Sequence, residues 1–224
     1  CQGDSLLIVL DTLYQSVFWS GGDTGHSIYI YDSGLYVVEV TGFNGCRTSD
    51  TTKVVLFPKP EIIYNPEYPA LCAGDSVAVT ASGAVSYDWS PTGWINPDTG
   101  KIIMALPPAA GFIYTEGINE FGCRSFDSVF VTVHDNPVIT VIPEKPEICS
   151  GNSVFLEALG AQNYFWYPAH GLSAVTGYSV LASPNDTQKY HVTGTDGNGC
   201  KDTLAFTVTV FPNPVTDLGN DRFL

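Results

Sequence analysis

Hydrophobic and polar residues alternate with a period of two along much of this chain. Val77 and Val79 mark one such stretch, Val129, Val131 and Val133 another, and Val154, Leu156 and Ala158 a third. Phe206, Val208 and Val210 repeat the pattern late in the chain, and Leu6, Ile8 and Leu10 carry it near the start. A period of two places these side chains on one buried face of a strand. Over residues 61–133 the pattern predicts strands at 61–64, 76–81, 85–89, 101–105, 112–117 and 128–133. Helical periodicity nowhere persists beyond about two turns. Six or seven short strands in a unit of about 75 residues predict an all-β fold built of sandwiches.

The strands recur in register. Three segments open alike, at Cys1-Gln-Gly-Asp-Ser5, Cys72-Ala-Gly-Asp-Ser76 and Cys149-Ser-Gly-Asn-Ser153. Three close alike, at Phe43-Asn-Gly-Cys46, Glu120-Phe-Gly-Cys123 and Gly197-Asn-Gly-Cys200, where the cysteines at 46, 123 and 200 are 77 apart. A tryptophan follows each opening cysteine: Trp19, Trp89 and Trp166. Proline-bearing junctions begin at Phe57, His134 and Phe211. Four coincident markers define a tandem repeat. The expected units are 1–57, which lacks its first strand, 58–134 and 135–212, with 213–224 as the first strand of a following unit. Leu224 aligns with Leu71 and Ile148, the residues before an opening cysteine, so the chain is expected to be an excerpt of a longer array. Cys1 is explained as a repeat position, which argues against reading it as a lipidated N-terminal cysteine.

Composition narrows the function classes. Lys plus Arg is 9 against 23 Asp plus Glu, a formal net charge of −14. Phosphate contacts need clustered cations, so nucleic acid is a poor partner. The chain is 44% hydrophobic and 12% aromatic, too apolar for a disordered segment. No stretch reaches the roughly 18–20 apolar residues of a membrane helix, so membrane insertion is not expected. No G-x-S-x-G, H-E-x-x-H or Walker loop is present, and no enzymatic activity is expected.

Six cysteines, two per unit, form an even set at fixed spacing. Metal binding suits them poorly: no C-x-x-C occurs, and the histidines at 26, 134, 170 and 191 are scattered. Disulfides imply an oxidising compartment, hence export. Small units also need a covalent staple. The simplest pairing is within units, Cys1–Cys46, Cys72–Cys123 and Cys149–Cys200, worth roughly 4 kcal/mol each by chain entropy. A second pairing stays open. In an immunoglobulin topology the opening and closing cysteines of one unit lie at opposite ends of the sandwich, too far apart to bond. Stacked units would then pair Cys1–Cys123 and Cys72–Cys200 and leave Cys46 and Cys149 to partners elsewhere.

The order Cys, Trp, Cys resembles that of immunoglobulin domains, except that each opening cysteine precedes its strand. Trp19, Trp89 and Trp166 are expected to cap the cores. The pattern C-x-G-[DN]-S, then Trp, then a Tyr strand such as Tyr36-Val-Val-Glu-Val40 or Tyr190-His-Val-Thr-Gly194, then N-G-C, is similar to the Ig-like or PKD-like repeats of large secreted Bacteroidota proteins. Asp217-Leu-Gly-Asn-Asp221 looks like the leader of another such repeat. The middle unit departs from the pattern at Phe121 and Ile113. The resemblance covers the whole chain. It fits tandem immunoglobulin-like β-sandwich domains, and the short x-Pro-x-Pro junctions predict an extended rod of them, on the order of 90–120 Å long at about 3.3 Å per strand residue. It also implies an extracellular, cell-surface location after type IX secretion. Many relatives are giant adhesins, among them the SprB-type adhesins of gliding motility.

Other residues carry weaker signals. Ser5, Thr12, Ser76, Ser128 and Thr203 each follow an Asp and precede an apolar residue, which looks like the O-glycan attachment pattern of Bacteroidota; Asp-Ser is also simply a turn entering a strand. Asn185-Asp-Thr187 matches an N-glycosylation sequon, which a bacterial setting would leave unused. Asp196, Asn198 and Asp202, and separately Asp88 and Asp98, are acidic enough to attract calcium, but no D-x-D-x-D-G loop occurs and no cofactor is expected. Trp94, Tyr64 and Tyr68 are a candidate sugar-stacking platform, or simply packing elements. The function expected is a structural stalk of a surface adhesin. Its partners are neighbouring repeats of the same chain, cell-surface or secretion machinery, and in one reading polysaccharide. The alternative is a spacer or carbohydrate-binding region of a multidomain secreted hydrolase.

Overall fold

A computed structural model describes residues 1–216. The fold is all-β, and among the described residues the single helical element is a 3-10 turn at Thr92–Trp94. The first repeat contains β1 (Leu6–Val9), β2 (Ser16–Trp19), β3 (Ser27–Ile30), β4 (Gly34–Thr41) and β5 (Arg47–Val54). The second contains β6 (Ile63–Asn65), β7 (Ala70–Cys72), β8 (Val77–Ser82), β9 (Ser86–Ser90), β10 (Ile95–Asn96), β11 (Ile102–Ala105), β12 (Gly111–Ile118) and β13 (Arg124–His134). The third contains β14 (Thr140–Ile142), β15 (Glu147–Cys149), β16 (Val154–Leu159), β17 (Asn163–Tyr167), β18 (Ser179–Ala182), β19 (Gln188–Thr195) and β20 (Lys201–Phe211). The strand expected over 213–224 lies, from residue 217 on, outside the described residues.

By contacts the chain divides into two compact units. The first holds Cys1–Pro69, Val77–Ala105 and Gly111–Phe130; the second holds Ala70–Ser76, Leu106–Ala110 and the chain from Val131 onward. In the first unit β1 pairs with β3, and β2, β4 and β5 form a second sheet. The same unit contains the sheet β10-β11-β8-β6 and the β12–β9 pair. In the second unit the third repeat packs β14-β16-β18 against β15-β20-β19-β17. There β15 runs parallel to β20, while the other pairs are antiparallel. Two antiparallel sheets closed by one short parallel strand make an immunoglobulin-like sandwich. The chain is a tandem of such sandwiches.

Alternation sets the cores. In β17, Tyr164 and Trp166 face in and Phe165 and Tyr167 face out, giving the burial pattern exposed, buried, exposed, buried, exposed. Trp166 packs with Leu156, Tyr190, Val192 and Val208 in the core of the third repeat. Trp19 packs with Val17, Ile30, Val38 and Val40 in the first. Gly160 shows how tightly the β16–β17 turn is folded. Its φ is +103°, and a Cβ there would collide with the carbonyl oxygen of Val138. Only glycine fits such a position.

The structure corrects several expectations. Leu6 is 46% exposed, and Ile8 and Leu10 are half-buried against the first core rather than inside it. Among the described residues β1 pairs with β3 alone, which leaves its other edge without a strand. Strands β7, β10 and β15 have two or three residues, too few to show a period in sequence.

Candidate functional site: the cystine junctions

The opening segments take one conformation three times. The residue three after each opening cysteine turns back to its carbonyl: Asp4 N–H to Cys1 at 3.0 Å, Asp75 to Cys72 at 2.9 Å and Asn152 to Cys149 at 3.0 Å. Glycine with positive φ makes the turn, at Gly3, Gly74 and Gly151. The residue after each cysteine then donates to the start of a proline-bearing segment: Gln2 to Phe57, Ala73 to His134 and Ser150 to Phe211, at 2.8, 2.8 and 2.9 Å. A side chain adds a further tie. Lys59 lies 3.4 Å from Asp4, Asn136 Nδ2 donates to Ala73 at 3.0 Å, and Asn213 Nδ2 donates to Ser150 at 3.1 Å. The Lys59 ammonium holds the Asp4 carboxyl below its ordinary range.

The closing hairpins are equally alike. In each, the first residue donates to the cysteine carbonyl: Gly42 to Cys46, Asn119 to Cys123 and Asp196 to Cys200. Gly45, Gly122 and Gly199 have φ of 80°, 77° and 86°. Asn119 Oδ1 accepts from Phe121 and Cys123, and Asp196 Oδ1 accepts from Asn198 and Cys200. The first hairpin has glycine at that position, and Asn44 Oδ1 caps Cys46 instead.

Opening turn and closing hairpin meet across successive repeats. Cys1 is bonded to Cys123 in the first unit and Cys72 to Cys200 in the second, each with Cα atoms 5.5 Å apart. This corrects the simplest expectation of bonds within repeats. The third repeat supplies the reason. Cys149 lies opposite Phe211, the last residue of β20, whereas Cys200 immediately precedes Lys201, the first. Eleven strand residues at about 3.3 Å each separate the two by roughly 35 Å, and a disulfide needs Cα atoms within about 7 Å. Hence Cys46 and Cys149, expected in disulfides, have none among the described residues; both are exposed. The bonded Cys123 and Cys200 are fully buried. Around the first junction Phe57 stacks on Phe121, with centroids 3.9 Å apart and planes 4° from parallel. Asn119 Nδ2 donates to Pro58 at 2.8 Å. The departure at Phe121 is thus part of the junction.

The other candidates fall as follows. Trp19, Trp89 and Trp166 are at most 3% exposed, and their indole N–H groups donate to Gly25, Gly100 and Gly177. Ser5, Thr12, Ser76 and Thr203 are exposed and Ser128 is half-buried. Ser128 and Thr203 lie inside β13 and β20, not in turns, and their N–H groups donate to Asp127 and Asp202, each at 2.7 Å. Asp196 is occupied by its own hairpin, and among the described residues no three His, Cys, Asp or Glu side chains converge as a metal would require. Tyr64 does not join Trp94 and Tyr68 in an exposed platform; its ring lies 6.0 Å from that of Trp89 and its hydroxyl is buried. Among the described residues no helix is long and apolar enough to cross a membrane. Sequence reasoning missed the junction's polar ties, Lys59, Asn119, Asn136 and Asn213. The 77-residue spacing of 59, 136 and 213 was the available signal.

Comparison with characterised protein sequences gives no match. Among solved structures, the insect immune protein hemolin is 18% identical over 95% of this chain and 72% of its own, with a TM-score of 0.36. The N-terminal eight Ig domains of Down Syndrome Cell Adhesion Molecule are 14% identical over 94% of this chain and 38% of theirs, with a TM-score of 0.30. The SGBP-B protein of the Bacteroides ovatus mixed-linkage glucan utilization locus, solved with a heptasaccharide, is 16% identical over 94% and 64%, with a TM-score of 0.22. Residues 135–214, the third repeat with its outgoing segment, match the family described as Ig-like domain, CHU_C associated.

Proposed function

We propose that this chain is a load-bearing repeat region of a secreted surface adhesin, holding a binding element away from the cell. One observation carries the reading: each cystine joins an opening turn to the closing hairpin one repeat later. Tension along the chain then passes through sulfur bonds as well as through the segments between repeats. The two cystines also fit an oxidising, extracellular setting. Export by type IX secretion, a role in gliding and O-glycans on Ser5, Thr12, Ser76, Ser128 and Thr203 belong to the same reading.

Pulling single molecules by their ends tests it. With both cystines closed, the shortest covalent path from Cys1 to Cys200 crosses to Cys123 and returns to Cys72 before crossing again. At about 3.5 Å per residue that path extends to roughly 180 Å, against about 700 Å for the reduced chain. An extension near the longer value without reductant would overturn load sharing by the cystines. Saturable binding of the chain to a polysaccharide array, lost in Trp94→Ala, would replace the stalk by the carbohydrate-binding alternative.

A further inference from the structure

The last strand of each repeat has an outer edge that its own sheet leaves open. Among the described residues β5 has no neighbour beyond β4, β7 covers β13 only from Thr132 to His134, and β15 covers β20 only from Thr209 to Phe211. The junction bonds show which backbone groups face that edge. The carbonyls of Phe57, His134 and Phe211 accept there, from Gln2, Ala73 and Ser150. One residue earlier the backbone faces the other way: Leu56 N–H donates to Ser33 Oγ and Val210 N–H to Thr187 Oγ1. Backbone groups alternate between the two edges of a strand. Thr51, Ser128 and Thr203 each lie an even number of residues before the junction carbonyl, so their N–H groups point outward. Each of the three is taken by the carboxylate of the preceding residue, Asp50, Asp127 or Asp202, at 2.7 Å every time. Asp50 and Asp127 are four residues after the closing cysteine and Asp202 is two after it, and this shift of two keeps the same edge and the same face. That face is the inner one, shared with the buried Val54, Val131 and Val208, yet all three aspartates are exposed. The open edge is otherwise suited to a strand. Beside β20 a groove of about 770 Å³ is lined by Ile139, Val141, Leu204 and Phe206.

We propose that Asp50, Asp127 and Asp202 are edge guards, which keep the open strands of this chain from pairing with a strand of another molecule. A strand laid on such an edge needs the outward N–H groups as donors. At Thr51, Ser128 and Thr203 it would have to take the donor from a carboxylate already bound to it. It would also cover a charge on the inner side of the sheet and leave that charge without a partner, which is a costly arrangement. One guard per strand is enough. A strand of about six residues, the ordinary length, cannot lie along the open stretch Lys201–Val208 without covering Thr203. The inference rests on the strand edges and stands apart from the adhesin reading.

The test compares the parent chain with Asp50→Ala/Asp127→Ala/Asp202→Ala and with Asp50→Lys/Asp127→Lys/Asp202→Lys. The cystines stay closed, and the exposed Cys46 and Cys149 are alkylated in all three, so that disulfide exchange joins nothing. Self-association is measured by analytical ultracentrifugation over a concentration series, and circular dichroism checks the fold. The Ala chain is expected to associate at least about tenfold more tightly than the parent, with slowed amide exchange at Ala205 and Thr207 in the associated form. The Lys chain loses the same hydrogen bonds but keeps a charge on each edge, and is expected to associate as weakly as the parent. General repulsion predicts the opposite order, because the formal charge changes by three units, from −14 to −11, with Ala and by six, to −8, with Lys. Stronger association of the Lys chain than of the Ala chain would overturn the proposal. So would an Ala chain as monomeric as the parent, or association that leaves exchange at those amides unchanged. Asp202→Ala alone carries the same test in the third repeat where the triple chain lacks the parent's circular dichroism spectrum.

Discussion

The hydroxyl of Tyr64 is buried without a hydrogen-bond partner, and Thr115 nearby has a hydroxyl in the same condition. Burial pushes the Tyr64 phenol up to about 12 from its ordinary 10. Below pH 10 the phenol is neutral in both folded and unfolded chains, and its contribution is constant. From 10 to about 12 the unfolded chain ionises and the folded one does not, so stability falls across that window. Tyr190 adds to the same fall, since burial raises its phenol too, although its hydroxyl donates to His170 at 2.7 Å. Tyr64→Phe removes an unpaired polar atom and keeps the ring on Trp89. Its melting temperature is therefore expected to equal or exceed that of the parent at pH 7. It is also expected to fall less steeply between pH 10 and 12; thermal unfolding followed by circular dichroism at both pH values reads this, and a loss at pH 7 would refute it. At this scale the sequence was informative wherever a large side chain alternated with polar ones. Trp166 and Val208 are as buried as the period predicts. It misled at Leu6, because an alternating pattern says which face a residue is on and not whether a neighbouring strand covers it.

Among the elements, the closing hairpin is held chiefly by one side chain. Asn119 accepts from Phe121 and Cys123 and donates to Pro58, three bonds from one half-buried amide. Asp196 makes the first two but lacks the N–H groups for the third. Asn119→Ala is expected to destabilise the chain by about 2 kcal/mol and Asp196→Ala by about 1, at roughly 1 kcal/mol for the inter-repeat bond and the remainder for the turn. Urea unfolding of both variants measures the difference, and equal losses would mean that the Pro58 bond contributes nothing. The hairpins themselves were legible from Asn-Gly-Cys and Phe-Gly-Cys. Strands β7 and β15 were not, because three residues pairing in parallel with the end of a long strand leave no periodic trace. Those two short strands fix where the opening cysteines lie; without them the sequence left two pairings open, and the one between successive repeats, argued from immunoglobulin topology, is the one formed.

For the whole molecule, the pairing of cysteines is a question of which strand ends carry them, and composition has no access to that. Cysteine count and spacing established that a framework exists; the register of Cys149 against Phe211 decides that it cannot close within a repeat. The two bonds enclose loops 1–123 and 72–200, and these loops overlap over residues 72–123. Every peptide bond from Cys1 to Cys200 therefore lies inside at least one closed ring. A protease that cuts once, at any exposed bend in that span, opens a ring but frees no fragment. Limited digestion to one cut per molecule should yield a species of intact mass plus one water, which separates into two pieces only after reduction. Release of a fragment from a singly cut, unreduced chain would contradict the overlap. A chain wired in this way stays whole in the presence of proteases until two cuts fall within one molecule.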